Sequence, residues 1–411
     1  MAKRIGWVLA CVCLVVVVFA TGPLRAQQPK PILVLISIDG FRYDYFDRAS
    51  VPNLKTLAAR GVRSQGLIPS FPSVTFPNHY TIVTGMVPDH HGIIANAMFD
   101  LSIGKDKFTM SSATAKDPRW WGGEPIWTTA IKQGQKSAAM FWPGSEAVKP
   151  TYWKPFDDNV SNEDRVKQVL EWMRLPEADR PTFSTLYFSE VDHAGHDSGP
   201  DTQGALDAVA HVDTAIGQLM RGMDELGLSS RTTYVVVSDH GMATTSNDRV
   251  IYLDDYLNPS EIEVVEWSPN VEINPRSATS ADEIYKKLFD KHPALGVYKR
   301  EALPKWLQFG TNPRIPAIVG IAELGWVVTT HAQAETRLKA GRSFNGGAHG
   351  YDPRYRDLHG LFIAAGPTLR KGVLVPEFQN IHIYNLMCNI LGLTPAPNDG
   401  DFSQVSRFIV W

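Results

Sequence analysis

Cysteine is almost absent from this 411-residue chain. Of the three, Cys11 and Cys13 lie in the N-terminal segment and only Cys388 in the rest, so no disulfide framework can brace a mature protein. A chain of this size must then be held by its core and by metals, which suits a bacterial periplasm better than an animal extracellular space. A basic excess is also missing. The formal net charge is −3, and residues 1–26 hold Lys3, Arg4 and Arg25 but no acid, so their removal leaves −6. That excludes a dedicated nucleic-acid surface, which needs a basic stripe. Internal repeats and low-complexity segments are lacking too, which argues against a solenoid.

Long hydrophobic runs are scarce. The N-terminal one, Ile5 to Ala20, falls short of the roughly 20 residues of a membrane-spanning helix. Basic residues precede it and small and polar ones follow, the pattern of an export signal. A signal peptide over 1–26 is therefore expected, with an uncleaved membrane anchor as the alternative. The mature protein would be periplasmic or secreted, with no stable membrane partner and an oligomeric state the sequence leaves open.

What is present is a hydrophobic content of 44%, enough for a sizeable core. "PILVLISIDG" (Pro31 to Gly40) reads as a parallel strand buried on both faces, with Asp39 at its carboxyl end. "SVPNLKTLAARGV" reads as a helix closed by Gly61. Further buried strands are expected at Thr182 to Asp192, Thr232 to Met242 and His359 to Gly366, with helices such as "DAVAHVDTAIGQLMRGMDELG" between them. This alternation predicts an α/β fold with a mostly parallel central sheet and helices on both faces. A single catalytic domain over 30–405 is expected, interrupted at about 258–344 by a smaller subdomain of short strands.

In such folds chemistry collects at the carboxyl ends of strands. There the sequence offers Asp39 in "ISIDGF", Asp192 and His196 in "SEVDHAGHDSG", Asp239 and His240 in "VVSDHGM", and His349 in "NGGAHGYDP". Each alone has a dull explanation as a turn cap or a backbone-bonded imidazole. Converging on one sheet edge, however, they would leave a dense cluster of carboxylates that metals resolve. Asp192 and His196 could ligate together, with Gly195 letting the backbone fold between them. Carboxylates and imidazoles without thiolate suit zinc, and six ligands divide into two three-ligand sites, the clamp used for in-line displacement at phosphorus. In "SFPSVTFPNHYTIVTGM", Pro77 fits the first turn of a helix. Thr75 would then be at once its N-cap and a metal-activated nucleophile, where free amides favour phosphate.

Taken in order, "SIDGFRYDY", "PSVTFPNHYTIVTGMVPDHHGI", "WWGGEPIWTTA", "FWPGSE", "SEVDHAGHDSGP", "SDHGM" and "GAHGYD" resemble the nucleotide pyrophosphatase/phosphodiesterase family of the alkaline phosphatase superfamily, in a bacterial single-domain form. The resemblance implies an alkaline phosphatase-like core and two Zn2+ per chain. Asp192, His196 and His349 would hold one, and Asp39, Asp239, His240 and the Thr75 hydroxyl the other. It further implies that Asn96 donates to a phosphate oxygen and that Phe76 and Tyr187 form a slot for a nucleotide base. Among the remaining polar residues, Asn78 is expected to serve the helix start and His90 and His91 to be loop structure. His79, His193 and His359 are expected to orient ligands, and His211 to pack.

The activity so implied is hydrolysis of nucleotide diester and pyrophosphate bonds, such as those of ATP and dinucleoside polyphosphates, releasing nucleoside 5′-monophosphates through a phosphothreonine, with Asn96 and the Phe76 amide supporting an equatorial oxygen. A phospholipase C or glycerophosphodiesterase acting on choline diesters with the same metals is the alternative. A phosphomonoesterase is disfavoured because no Arg adjoins Thr75.

Overall fold

The central strands form because runs of apolar residues bury both of their faces. In the computed structural model, which describes residues 29–276 and 279–410, Ile32–Ile38 is buried along its whole length. It pairs in parallel with Phe183–Phe188 on one side and Thr232–Val237 on the other. Among the described residues eight strands make this sheet, in the order Val373–Val375, Val62–Ser64, Phe362–Ala365, Thr232–Val237, Ile32–Ile38, Phe183–Phe188, Ser137–Met140 and Tyr152–Trp153. Phe362–Ala365 runs antiparallel to both neighbours; the other pairings are parallel. The expected signal peptide lies outside the described residues.

Alternate residues of the first strand feed two cores. Leu33 and Leu35 face one that includes Tyr80, Ile82 and Val83 of the Thr75–Thr84 helix and much of Ile383–Leu391. Ile32, Val34 and Ile36 face the other, covered by Pro52–Ala59, Asn162–Met173 and Gln203–Glu225. The last helix presents Ala205, Ala208, Val209, Val212, Ile216, Leu219 and Met223 along one side, at the three-and-four spacing that lets each bury. Each of the larger aliphatic side chains so buried contributes about 1.5–3 kcal/mol. Helices on both faces of a mostly parallel sheet match the sequence reading. Among the described residues no helix is long and apolar enough to cross a membrane.

Three local expectations change. The strand beginning near Thr182 ends at Phe188, and the helix Glu190–Ser198 starts two residues later, so Asp192 lies in a first helical turn. The Pro52–Ala59 helix ends on Arg60 without a left-handed residue. Gly61 is instead a close-approach position, since a Cβ there would lie 2.2 Å from the Ala364 carbonyl oxygen. Phe362–Ala365 is shorter than expected and antiparallel.

Apart from the main sheet, Ile262–Glu266, Asn270–Pro275, Ile318–Ala322 and Leu295–Lys299 form an antiparallel sheet in that order. The helix Ala281–Leu288, opened by a Ser280/Glu283 capping box, packs Ile284 and Leu288 into its core. A short antiparallel ribbon, Ala243–Thr245 with Gly346–Ala348, ends next to His349.

Candidate functional site

Asp39 and Asp239 follow adjacent parallel strands, so their carboxylates emerge side by side at the sheet's carboxyl edge. His240 Nε2 lies 3.0 Å from Asp239 Oδ2 and 3.4 Å from Asp39 Oδ1. Asp192 and His196 are one helical turn apart and so share a face of the Glu190–Ser198 helix. Gly195 does not fold the backbone back; it lets the helix pass Met242, whose Cε would sit 3.0 Å from a Cβ there. His349 follows the Gly346–Ala348 ribbon rather than a strand of the main sheet, contrary to expectation. Its Nε2 lies 3.1 Å from His196 Nε2 and 3.5 Å from Asp192 Oδ1. The His240 and His349 rings stack at 3.6 Å and join the two groups, Asp39–Asp239–His240 and Asp192–His240–His349.

The backbone decides which imidazole nitrogen points inward. Nδ1 of His196, His240 and His349 meets the carbonyl oxygens of Gly347 at 2.9 Å, Gly241 at 2.9 Å and Ser73 at 3.1 Å, so Nδ1–H donates and each Nε2 lone pair faces the cluster. There Asp39 Oδ1 and Asp192 Oδ1 are buried without a hydrogen-bond partner, and Asp239 Oδ2 has the imidazole nitrogens of His240 and His79 beside it. Burial first, then the charges of Asp239 and Asp192, raise the Asp39 carboxyl well above its ordinary range. Burial, then His240 and His196, push His349 well below its own. Inward lone pairs and orphaned carboxylate oxygens are mutually repulsive unless cations lie among them, so this donor set fits metal ions.

Thr75 opens the Thr75–Thr84 helix, and Val74, not Thr75, is its N-cap, without a side-chain cap bond. The expected double role is therefore corrected: the Thr75 hydroxyl is not used in capping and lies 3.4 Å from His240 Nε2. Asn96 Oδ1 accepts the Phe76 N–H at 3.0 Å. That amide is thus engaged, contrary to expectation, and the bond leaves Asn96 Nδ2 as the donor. Asn78 serves the helix start as read, accepting from Ser70 N–H at 2.8 Å and donating to the Pro72 and Val74 carbonyls at 2.9 Å.

The other histidines divide. His79 is fully buried between the Thr75 carbonyl at 2.9 Å, Asp239 Oδ2 at 3.2 Å and Ser37 Oγ at 2.8 Å, so it orients Asp239 as expected. His359 instead contacts the Pro353 carbonyl and Glu377, and His193 faces Asp158 at 3.7 Å, so neither orients a ligand. His90 pairs with Asp399, and buried His91 bonds Thr81 Oγ1 and the Ile93 N–H; both are structural, within the short helix Pro88–His91 rather than a loop. His211 is half-exposed between Glu190 and Glu163, which corrects the expectation that it packs.

A cleft of about 450 Å3 opens beside Asp39, Thr75 and Asp192, walled by Phe76, Trp121, Phe156 and Tyr187. Tyr187 departs from its expected part as a stacking plate. Its hydroxyl donates to Asp39 Oδ2 at 2.6 Å and it is only 9% exposed, so it clamps a carboxylate of the cluster. Phe156, 51% exposed, supplies the open aromatic face. Sequence reading passed over it because it stands in an aperiodic loop, "KPFDDN"; an aromatic isolated among Pro and Asp was the available signal.

The sheet and the site together define a class, the α/β proteins with an alkaline phosphatase-like core. Within it, the chain belongs to the type I phosphodiesterase / nucleotide pyrophosphatase family, whose model matches residues 33–352. Ectonucleotide pyrophosphatase/phosphodiesterase family member 3 of Mus musculus is 36% identical over 405 residues, 93% of this chain and 45% of its own. Venom phosphodiesterase 2 of Crotalus adamanteus is 37% identical over 391 residues, 92% of this chain and 47% of its own. The chain thus spans about half the length of these relatives. The solved structure of murine ectonucleotide pyrophosphatase/phosphodiesterase 5 matches at a TM-score of 0.86 and 34% identity, covering 93% of this chain and 100% of that one. The murine protein has also been solved as an inactive threonine-to-alanine form in complex with AMP. These relatives are mammalian and snake proteins, and the bacterial reading is not borne out.

Proposed function

We propose that the protein is a metal-dependent phosphodiesterase that cleaves nucleotide diesters and anhydrides to nucleoside 5′-monophosphates, with Thr75 as nucleophile. The observation that carries this reading is the Thr75 hydroxyl, unused in helix capping, 3.4 Å from a cluster imidazole and opening into an aromatic cleft. An inactive threonine-to-alanine relative that binds AMP supports it.

Asp192, His196 and His349 would hold one metal and Asp39, Asp239, His240 and Thr75 the other; zinc suits these nitrogen and oxygen donors. Bound there, the pair supplies the positive charge the chain lacks and makes the Thr75 hydroxyl a stronger nucleophile. Thr75 Oγ attacks phosphorus in line; the bond to the leaving oxygen breaks and a phosphothreonine forms. Asn96 Nδ2 donates to an equatorial oxygen of the transition state, an interaction worth about 10²–10³ in rate. Water then displaces Thr75 from the opposite side, so configuration at phosphorus is retained overall. Phe76 and Phe156 face the base, and Tyr187 and His79 hold Asp39 and Asp239. We place this activity in one catalytic domain over 30–405, with the sheet of about 258–344 inserted, exported by the leader.

The test is hydrolysis of p-nitrophenyl esters of thymidine 5′-monophosphate, phosphate and phosphocholine by chelated protein with zinc restored. Zinc-dependent preference for the thymidine ester supports the reading. Preference for phosphocholine would replace the nucleotide slot with a choline site, and absence of zinc-dependent hydrolysis would sink the proposal.

A further inference from the structure

A second cavity, of about 220 Å3, borders the cluster through Asn96, His196 and His349, and shares no lining residue with the aromatic cleft that holds Thr75. Its far wall is built by the antiparallel sheet. Glu266 and Glu272 are register partners on neighbouring strands of that sheet, beside a bulge, and Asn270 lies two residues from Glu272 on the same face. Burial raises both carboxyls, that of Glu272 well above its ordinary range, where the charge of Glu266 adds to it, so the two stand opposite one another without the repulsion of two full charges.

Glu266 is held in place: its Oε2 accepts the Ala97 N–H at 2.9 Å and its Oε1 the Trp267 N–H at 3.0 Å. Glu272 is 1% exposed and its Oε2 has no hydrogen-bond partner; Asn270 is 4% exposed, donates to the Gly350 carbonyl, and leaves its Oδ1 equally unpartnered. Both oxygens belong to residues lining the cavity. Among the described residues no Lys or Arg lines it, and Trp267 adds an indole wall. Unpaired acceptors, two carboxyls and an aromatic face make a site for a small organic cation and a poor one for an anion.

The position says which part of a substrate arrives there. With the nucleoside in the aromatic cleft and Thr75 attacking from that side, the departing ester arm lies across the cluster, toward His196 and His349. We propose that this cavity receives the departing arm and selects one tipped with an ammonium group over one ending in anionic phosphate. This rests on the phosphodiesterase reading and narrows its substrate class to nucleotides whose second ester arm carries a cationic amine.

CDP-choline and CTP provide the test, since both yield CMP by cleavage of the same kind of bond and differ in the tip of the departing arm. In the holoenzyme, kcat/KM for CDP-choline is expected to exceed that for CTP by about tenfold, the equivalent of about 1.4 kcal/mol. Glu272→Gln should shrink that ratio toward one, and Trp267→Leu, at a half-buried wall, should do so without depending on the Glu272 variant's folding. A wild-type ratio near or below one, or a ratio both variants leave unchanged, overturns the pocket. Hydrolysis of the thymidine ester in the same preparation keeps the two readings apart. If it proceeds while the ratio is flat, only the pocket fails; if neither it nor CTP is cleaved, the nucleotide reading fails and the pocket with it.

Discussion

Thr75 is excused from capping its own helix, and its hydroxyl is therefore available for chemistry. Thr75→Ala is expected to lower kcat by a factor on the order of 10⁴ or more while the fold and the bound metal remain, read by steady-state kinetics beside metal analysis. Asn96→Ala should cost about 10²–10³ in kcat. It also removes the acceptor of the Phe76 N–H, so Asn96→Asp, which keeps that acceptor but not the donor, should lose as much. Tyr187→Phe withdraws a donor from buried Asp39 and is expected to weaken metal retention about 10–100-fold, measured by competition with a chelator. At this scale much was legible: Asp39, Thr75, Asp192, His196, Asp239, His240 and His349 all carry chemistry-bearing groups in motifs of fixed spacing. The bond from Tyr187 to Asp39 was not legible, because a sequence shows an aromatic ring but not where its hydroxyl ends.

Elements aim these residues. The Glu190–Ser198 helix carries Asp192 and His196 on one face, and the Thr75–Thr84 helix ends on Gly85 at φ 68°, where only glycine is unstrained and where Asn398 leaves no room for a Cβ. Helix Pro52–Ala59 lacks a cap of its own, and Asp213 from Gln203–Glu225 supplies one across the interface, accepting the Asn53 and Leu54 N–H groups at 3.1 and 2.8 Å. Asp213 is fully buried, so Asp213→Ala should lower stability by about 1–3 kcal/mol in urea unfolding, with kcat of the folded fraction unchanged. A cap borrowed from a residue 160 positions away has no sequence signature.

For the whole molecule, stability and metal are linked. Chelation exposes the repulsion among the cluster's carboxylates. The melting temperature should fall and recover with zinc, by the equivalent of about 3 kcal/mol at a hundredfold excess over Kd, as calorimetry would report. Acid acts elsewhere too. Burial lowers the pKa of His91 from its ordinary value of 6.5 to about 3. The unfolded chain gains a proton near pH 6.5 and the folded one near 3. The stability present above pH 6.5 is therefore lost as pH falls through that interval, by up to about 1.4 kcal/mol per pH unit. His91→Gln should flatten the dependence by that one proton, read from urea midpoints at several pH values.

Legible in the chain were the alternation that makes a mostly parallel sheet, the clustered carboxylates and imidazoles, and a threonine opening a helix with proline in its first turn. Those depend on residue type and short spacing, which a chain carries openly. Tertiary structure alone decided which ring nitrogen faces the cluster, since that follows from the carbonyls of Gly347, Gly241 and Ser73 meeting each Nδ1. It placed His349 on a ribbon, turned Tyr187 from plate to clamp, and set Glu266 opposite Glu272 behind the site. Such outcomes depend on contacts between distant segments, and their free energies are fixed only when the segments pack.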